Sequence, residues 1–239
     1  MGEARPLSRS RPAWSAVNPG NRAARRELLD AIRAAAELQL RGLGALLDCA
    51  CGTGWLLEAL VADGVAPQRL HGIDLDPARV DAAARRAPGV TARVADARAL
   101  PYPDGTFVAA FHVVSLSSIG SAESVRAALA EAGRVLAPGG VLLIYELRLP
   151  NPLNRDTRLL RRRDLEAAGL AISETRPLTL LPPLGRRLGR LTPALYPLLS
   201  SVPPLRSHRL LVHRAEARSA TPAGGGSSAA RTPEPLPPR

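Results

Sequence analysis

The stretch Leu46-Leu47-Asp48-Cys49-Ala50-Cys51-Gly52-Thr53-Gly54-Trp55 constrains this chain more than any other. An apolar run ends on an acid, passes through small residues, and enters a helical pattern. Small residues in such a turn let backbone N–H groups approach a ligand closely at the start of the following helix. Twenty residues beyond Gly54, Asp74 closes the next apolar block. A carboxylate at the end of the second strand can accept both hydroxyls of a ribose, so the pair of features points to a nucleoside-containing cofactor. A dinucleotide site would want a third glycine three residues after Gly54, and Leu57 stands there. The turn therefore suits a nucleoside without a pyrophosphate better, and an NAD-dependent oxidoreductase becomes the weaker reading.

Around this turn, apolar blocks of strand length alternate with longer helical patterns, the signature of βαβ units in a parallel sheet buried on both faces. The pattern predicts strands at 45–49, 70–74, 90–95, 106–115 and 141–147, with helices at 21–40, 55–62, 77–86 and 121–136. Asp76-Pro77 supplies an N-cap followed by a first-turn proline. Beyond residue 147 the rhythm changes to a short helix at 164–168 and strands at 170–178 and 206–213. Six prolines break the segment 181–204, which is still too apolar for a free linker. The expectation is an α/β fold: a Rossmann-like, doubly wound, seven-stranded sheet whose last two strands form an antiparallel addition. A Pro-rich capping insertion at 181–204 lies over it. Residues 18–214 are expected to form one domain with its cofactor-binding core at 42–147. The stretches 1–17 and 215–239 read as loose tails, since neither carries enough apolar surface to offset the entropy of ordering.

The net charge of +11 suggests a nucleic-acid binder until it is divided along the chain. Every one of the 32 cations is arginine. Between residues 42 and 147 acids outnumber arginines 11 to 8, whereas 148–214 carries 13 arginines against 4 acids. The middle of the chain thus does not share the basic character, and an acidic centre suits a ligand that carries positive charge. The arginine-rich flanks leave open an apolar or anionic guest and a peripheral membrane contact, with nucleic acid less favoured. The alternative they allow is a non-catalytic cofactor-binding module that docks nucleic acid. Cys49 and Cys51 are the only cysteines, too few for a disulfide framework, so a cytoplasmic setting is expected. The four histidines show no spacing that would complete a zinc site with them.

Four motifs in order resemble one family. Asp48-Cys49-Ala50-Cys51-Gly52-Thr53-Gly54 is similar to the glycine-rich first motif of class I S-adenosylmethionine-dependent methyltransferases, and Gly72-Ile73-Asp74-Leu75-Asp76-Pro77 to their second. The stretch from Val94 to Phe107 and that from Glu131 to Gly140 resemble the ubiquinone and menaquinone biosynthesis type within that superfamily. The resemblance covers roughly residues 44–147. It implies S-adenosylmethionine as cofactor and methyl transfer to the oxygen or carbon of a small-molecule or lipid-linked acceptor.

The resemblance also implies roles. Asp48 would reach the ammonium of the methionine part, held by the backbone of Ala50, Cys51, Gly52 and Gly54. Asp74 would take the ribose hydroxyls, with Leu75 lying against the adenine. Asp96 and the Ala97 N–H would meet the adenine edge, while His112 and Val113 would lead the fourth strand toward the sulfonium. His112 is the candidate base and Glu146 a second one. Three departures stand out. Ala50 occupies the place of the usual first glycine, tolerable if its φ stays negative. Val108 replaces a frequent aspartate. Val113-Val114-Ser115-Leu116 is not the Asn/Asp-Pro-Pro-Tyr box of enzymes that methylate exocyclic amines, which argues against nucleobase acceptors.

Overall fold

The computed structural model describes residues 17–150 and 157–217. Seven strands form one sheet: β1 (Ala45–Asp48), β2 (Leu70–Asp74), β3 (Thr91–Val94), β4 (Phe107–Val113), β5 (Leu136–Leu147), β6 (Ile172–Leu180) and β7 (Arg206–Arg214). Their order is β3-β2-β1-β4-β5-β7-β6. The first five pair in parallel, and β7 runs antiparallel to both β5 and β6. The doubly wound sheet with its antiparallel addition is the one the sequence predicts. Strand order reverses between β1 and β4, so a crevice is expected outside the carboxyl ends of those strands.

Adjacent residues Leu46 and Leu47 are both fully buried, as are Leu142, Leu143 and Ile144, because helices cover both faces. On one face lie α1 (Pro19–Ala35), α2 (Glu37–Arg41), α3 (Trp55–Ala62) and α4 (Pro77–Arg86), with Leu28, Ile32, Leu56 and Leu60 in the core. On the other, α5 (Ala122–Arg134) and α6 (Arg162–Ala167) pack Leu129, Ala132 and Leu165 onto Leu47, Leu142 and Leu211.

The single helix predicted over 21–40 is two. Asn18 caps α1 by accepting the Gly20 and Asn21 N–H groups at 2.9 and 3.3 Å. The chain then leaves helical geometry at Ala36, whose φ of −123° allows its side chain to be wholly buried. β5 begins at Leu136, five residues earlier than predicted, because Leu136 pairs with Phe107 before the chain shifts register at Pro138-Gly139-Gly140. Mutual bonds between Ala215 and the 139–140 backbone then hold that turn.

The proline-rich segment resolves into α7 (Pro182–Arg187) and α8 (Thr192–Ser200), both packed on α1. The Gly20 and Gly185 backbones touch with no room for a Cβ. The tails called at 1–17 and 215–239 lie, apart from Val17 and residues 215–217, outside the described residues. Among the described residues no helix is long and apolar enough to cross a membrane.

Candidate functional site

At the carboxyl end of β1 the backbone is clamped to both neighbours. The Cys49 N–H donates to the Phe111 carbonyl at 2.9 Å and the Cys51 N–H to the Ile73 carbonyl at 2.8 Å. The chain then turns through Gly52 (φ 53°) and Gly54 (φ 77°) into α3. Ala50 is not among the residues with positive φ, so the alanine at the first glycine's place carries no strain. A Cβ on Gly54 would stand 2.8 Å from Ala83 Cα and Cβ, whereas one on Gly52 would meet nothing within 4 Å. Gly54 is thus required by the packing of α3 on α4. Gly52 faces open space above the sheet.

Two acids frame that space. Asp74 is nearly buried and its carboxylate is held on both sides, Oδ2 accepting the Gly52 N–H and Oδ1 the Asp76 N–H, each at 3.0 Å. Arg79 stands 3.9 Å from Asp74 Oδ2. Asp48 is 3% exposed, and its Oδ1 has no hydrogen-bond partner. Burial pushes its pKa up to about 7; the Ala50 N–H opposes the rise and nearby Asp74 adds to it. A buried carboxylate oxygen without a partner, beside a second acid, is a receptor for a cation. The two thiols that alternate with Ala50 are buried, and desolvation raises both above the ordinary cysteine range.

Next to Asp74, Leu75 is 49% exposed, an apolar side chain at the rim of the crevice. Asp96 sits just beyond the end of β3, and Arg98 covers both of its oxygens at 2.6–3.0 Å while the Arg98 N–H also donates to it at 2.8 Å. That bidentate ion pair lowers the Asp96 pKa. The sequence gives no sign that Arg98 occupies this carboxylate. Ala97 is half-buried beside it.

The fourth strand departs most from expectation. His112 is fully buried, enclosed on the α5 side of the sheet, with Nδ1 2.8 Å from Ser115 Oγ and its pKa lowered by desolvation to about 4. Val113, on the opposite face, packs against the α1 side. Val114 adopts φ 51°, a left-handed conformation that a β-branched residue rarely takes, so the crevice edge between β4 and β5 carries local strain. Glu146 is likewise fully buried: Oε1 accepts the Leu116 and Ser117 N–H groups at 2.7 and 3.3 Å, and burial pushes its pKa up to about 6. It fixes the turn that follows Ser115 and does not face solvent.

The sequence reading missed a polar cluster under α1. Glu27 Oε2 accepts the Thr179 N–H at 2.9 Å and the Tyr196 hydroxyl at 3.0 Å, and its Oε1 takes Arg206 at 2.8 Å. Tyr145 bonds to Thr179 Oγ1 and stacks on His208 with ring centroids 4.8 Å apart. More than 100 residues separate Glu27 from its partners, and only the left-handed Thr179 (φ 64°) betrays the strain locally. No pattern in the sequence announces it.

With this geometry in view, residues 46–140 match the family model described as a methyltransferase domain. A demethylmenaquinone methyltransferase of Thermus thermophilus is 40% identical over 110 residues, 44% of this chain and 48% of that protein. A malonyl-[acyl-carrier protein] O-methyltransferase of Halorhodospira halophila is 36% identical over 101 residues, 41% of this chain and 33% of the relative. The chain thus spans half or less of these two relatives. Among solved structures, the [4+2]-cyclase SpnF superposes with a TM-score of 0.57 at 25% identity, covering 79% of this chain and 81% of its own.

Proposed function

We propose that this chain is a class I S-adenosylmethionine-dependent methyltransferase similar to the ubiquinone and menaquinone biosynthesis type, and that it transfers a methyl group from S-adenosylmethionine to the carbon or oxygen of a small or lipid-linked acceptor. The observation that carries this reading is the pair of buried acids around the open Gly52 turn. Asp48 offers an unpartnered oxygen to an ammonium, and Asp74 is fixed at the end of β2 to receive a ribose diol. The cofactor supplies an electrophilic methyl on sulfur, and the protein contributes alignment.

The residues fit that group. Backbone from Ala50 to Gly54 holds the methionine part, Leu75 covers one face of the adenine, and the Ala97 N–H and Asp96 meet its edge, Asp96 sharing its oxygens with Arg98. Val113 and the strained Val114 line the path to the acceptor. His112 meets that path only through Ser115, so it positions the strand end and does not remove a proton. Residues 18–214 act as a single domain, with 42–147 holding the cofactor and 181–204 capping the acceptor side. The acceptor is apolar or anionic, in keeping with the arginines that follow residue 147.

Isothermal titration with S-adenosylhomocysteine tests the cofactor half of this reading, and labelled cofactor with fractionated lysate tests the transfer half. Heat with the first and uptake of label with the second support it. Absence of heat at high protein concentration defeats it. Binding without transfer of label to any fraction would favour a cyclisation of the kind named for the structural neighbour, which consumes no methyl group.

A further inference from the structure

We infer that the outer face of α8 is a docking surface for an anionic lipid membrane. The inner face of this helix is fully committed. Thr192, Tyr196 and Ser200 are buried, Tyr196 packs with Leu180 and Ala24, and its hydroxyl donates to Glu27. The outer face is apolar. Leu191, Leu198 and Val202 are 61, 64 and 42% exposed, and Pro193, Ala194 and Pro197 are exposed between them. Within α8, Ala194 and Leu198 lie four residues apart on this face, while Leu191 precedes the helix and Val202 follows it in extended backbone, so that they continue the apolar surface at either end. Ser201 is the only polar residue exposed between 191 and 204, and its hydroxyl is turned back onto the Leu198 carbonyl at 2.6 Å. Contiguous exposed apolar patches of this kind mark an interaction site.

Charge decides what covers it. From Leu181 to Leu205 there is no acid, while Arg186, Arg187 and Arg190 lie in the same segment, with Arg187 and Arg190 exposed just ahead of this face. Apolar residues flanked by arginines and free of acids are the composition of a helix that lies in a membrane interface, its leucines at the acyl boundary and its cations on headgroup phosphates. A second copy of this chain fits less well. The segment has no acid with which a second copy could pair the exposed Arg187 and Arg190, whereas headgroup phosphates supply that partner directly.

Position in the fold adds a consequence. β6 runs parallel to β5, since both oppose β7. The cap therefore leaves the sheet at the edge where Asp48 and Asp74 open the crevice, and a docked face would hold that edge near the lipid surface. The inference goes beyond the methyl-transfer reading and stands or falls without it.

Co-sedimentation of the full chain with vesicles of equal parts phosphatidylglycerol and phosphatidylcholine tests it, with phosphatidylcholine alone as reference. The expected result is binding to the anionic vesicles only, weakened by salt. The double variant Arg187→Ala/Arg190→Ala should bind about 25-fold more weakly, at about fivefold per cation. Leu191→Asn/Leu198→Asn should abolish binding while circular dichroism and S-adenosylhomocysteine affinity stay unchanged, which separates this outcome from failure of the cofactor site. Vesicle binding that is absent, or indifferent to both variants, overturns the proposal. So does a concentration-dependent dimer that the leucine variant dissociates.

Discussion

Gly52 and Asp74, on different βα turns, are joined by a 3.0 Å hydrogen bond from the turn's N–H to the carboxylate Oδ2. The ligand-facing acid is therefore also a brace for the glycine turn, and the Asp76 N–H on its other oxygen ties it to the start of α4. Asp74→Ala leaves two N–H groups without an acceptor and should lower stability by about 2 kcal/mol while removing the diol contact. Asp74→Asn keeps one oxygen, so most of the stability should survive while S-adenosylhomocysteine affinity still falls at least about tenfold, the cost of one charge-assisted bond. Chemical denaturation and titration calorimetry on both variants check this. Wild-type affinity in the alanine variant would exclude Asp74 from the site.

Asp48 yields a prediction in which stability and binding move in opposite directions. Its pKa is raised from 3.8 to about 7 by burial, so between these values the folded state holds a proton that the unfolded state has lost. Stability on this account falls as pH rises from 4 to 7, by a total on the order of 3–4 kcal/mol. Asp48→Asn removes that penalty and should leave the ligand-free protein more stable at pH 8, by roughly 2–4 kcal/mol. The same change deletes the anion that an ammonium needs, so affinity for S-adenosylhomocysteine should drop. In the wild type that affinity should also weaken as pH falls below 7. Urea unfolding at pH 8 and a pH series of titrations decide the matter. A destabilised Asp48→Asn, or affinity indifferent to pH, contradicts the assignment.

Gly52 and Gly54 look interchangeable in sequence and are predicted to respond differently. Gly54→Ala drives a Cβ into Ala83 at 2.8 Å and adds a left-handed penalty, so it should cost about 3 kcal/mol or more and loosen α3 from α4. Gly52→Ala has free space around it and should cost only the backbone term, about 1–2 kcal/mol. Its methyl nonetheless stands where the methionine part is placed, so binding should be lost from a protein that is still folded. Circular dichroism melts beside calorimetry separate the two. Gly52→Ala that binds normally would move the cofactor away from this turn.

The legible parts of this molecule were those written in short-range order. The apolar blocks and the small-residue turn located β1 to β5, and the spacing from Gly54 to Asp74 marked two neighbouring βα turns that the structure joins by a hydrogen bond. Helix ends were less readable. Ala36 is a good helix former, yet the chain leaves helical geometry there with the side chain wholly buried. Side-chain direction was the least readable. His112 is enclosed with its Nδ1 against Ser115, and Glu146 turns Oε1 to two N–H groups from a turn about thirty residues earlier. The Glu27 cluster unites α1, β6, α8 and β7, and no local pattern encodes it.

His112 closes the set because its two roles predict different titrations. Burial lowers its pKa from 6.5 to about 4. Over that interval the unfolded state binds the proton and the folded state does not, so the neutral ring contributes stability above pH 6.5 that is lost as pH falls toward 4. The amount is on the order of 3 kcal/mol. His112→Gln carries no such term, and the stability gap between wild type and variant should therefore shift in the variant's favour by about that amount between pH 7.5 and 4.5. Because the ring is fully buried with its Nδ1 against Ser115, S-adenosylhomocysteine affinity is expected to stay within about threefold, less than one ordinary hydrogen bond. Once an acceptor is in hand, the rate should show no titration attributable to this residue between pH 5 and 8. A gap that does not change with pH would mean the ring is not buried neutral. Loss of turnover by about a hundredfold or more, with binding and stability intact, would restore it as the base.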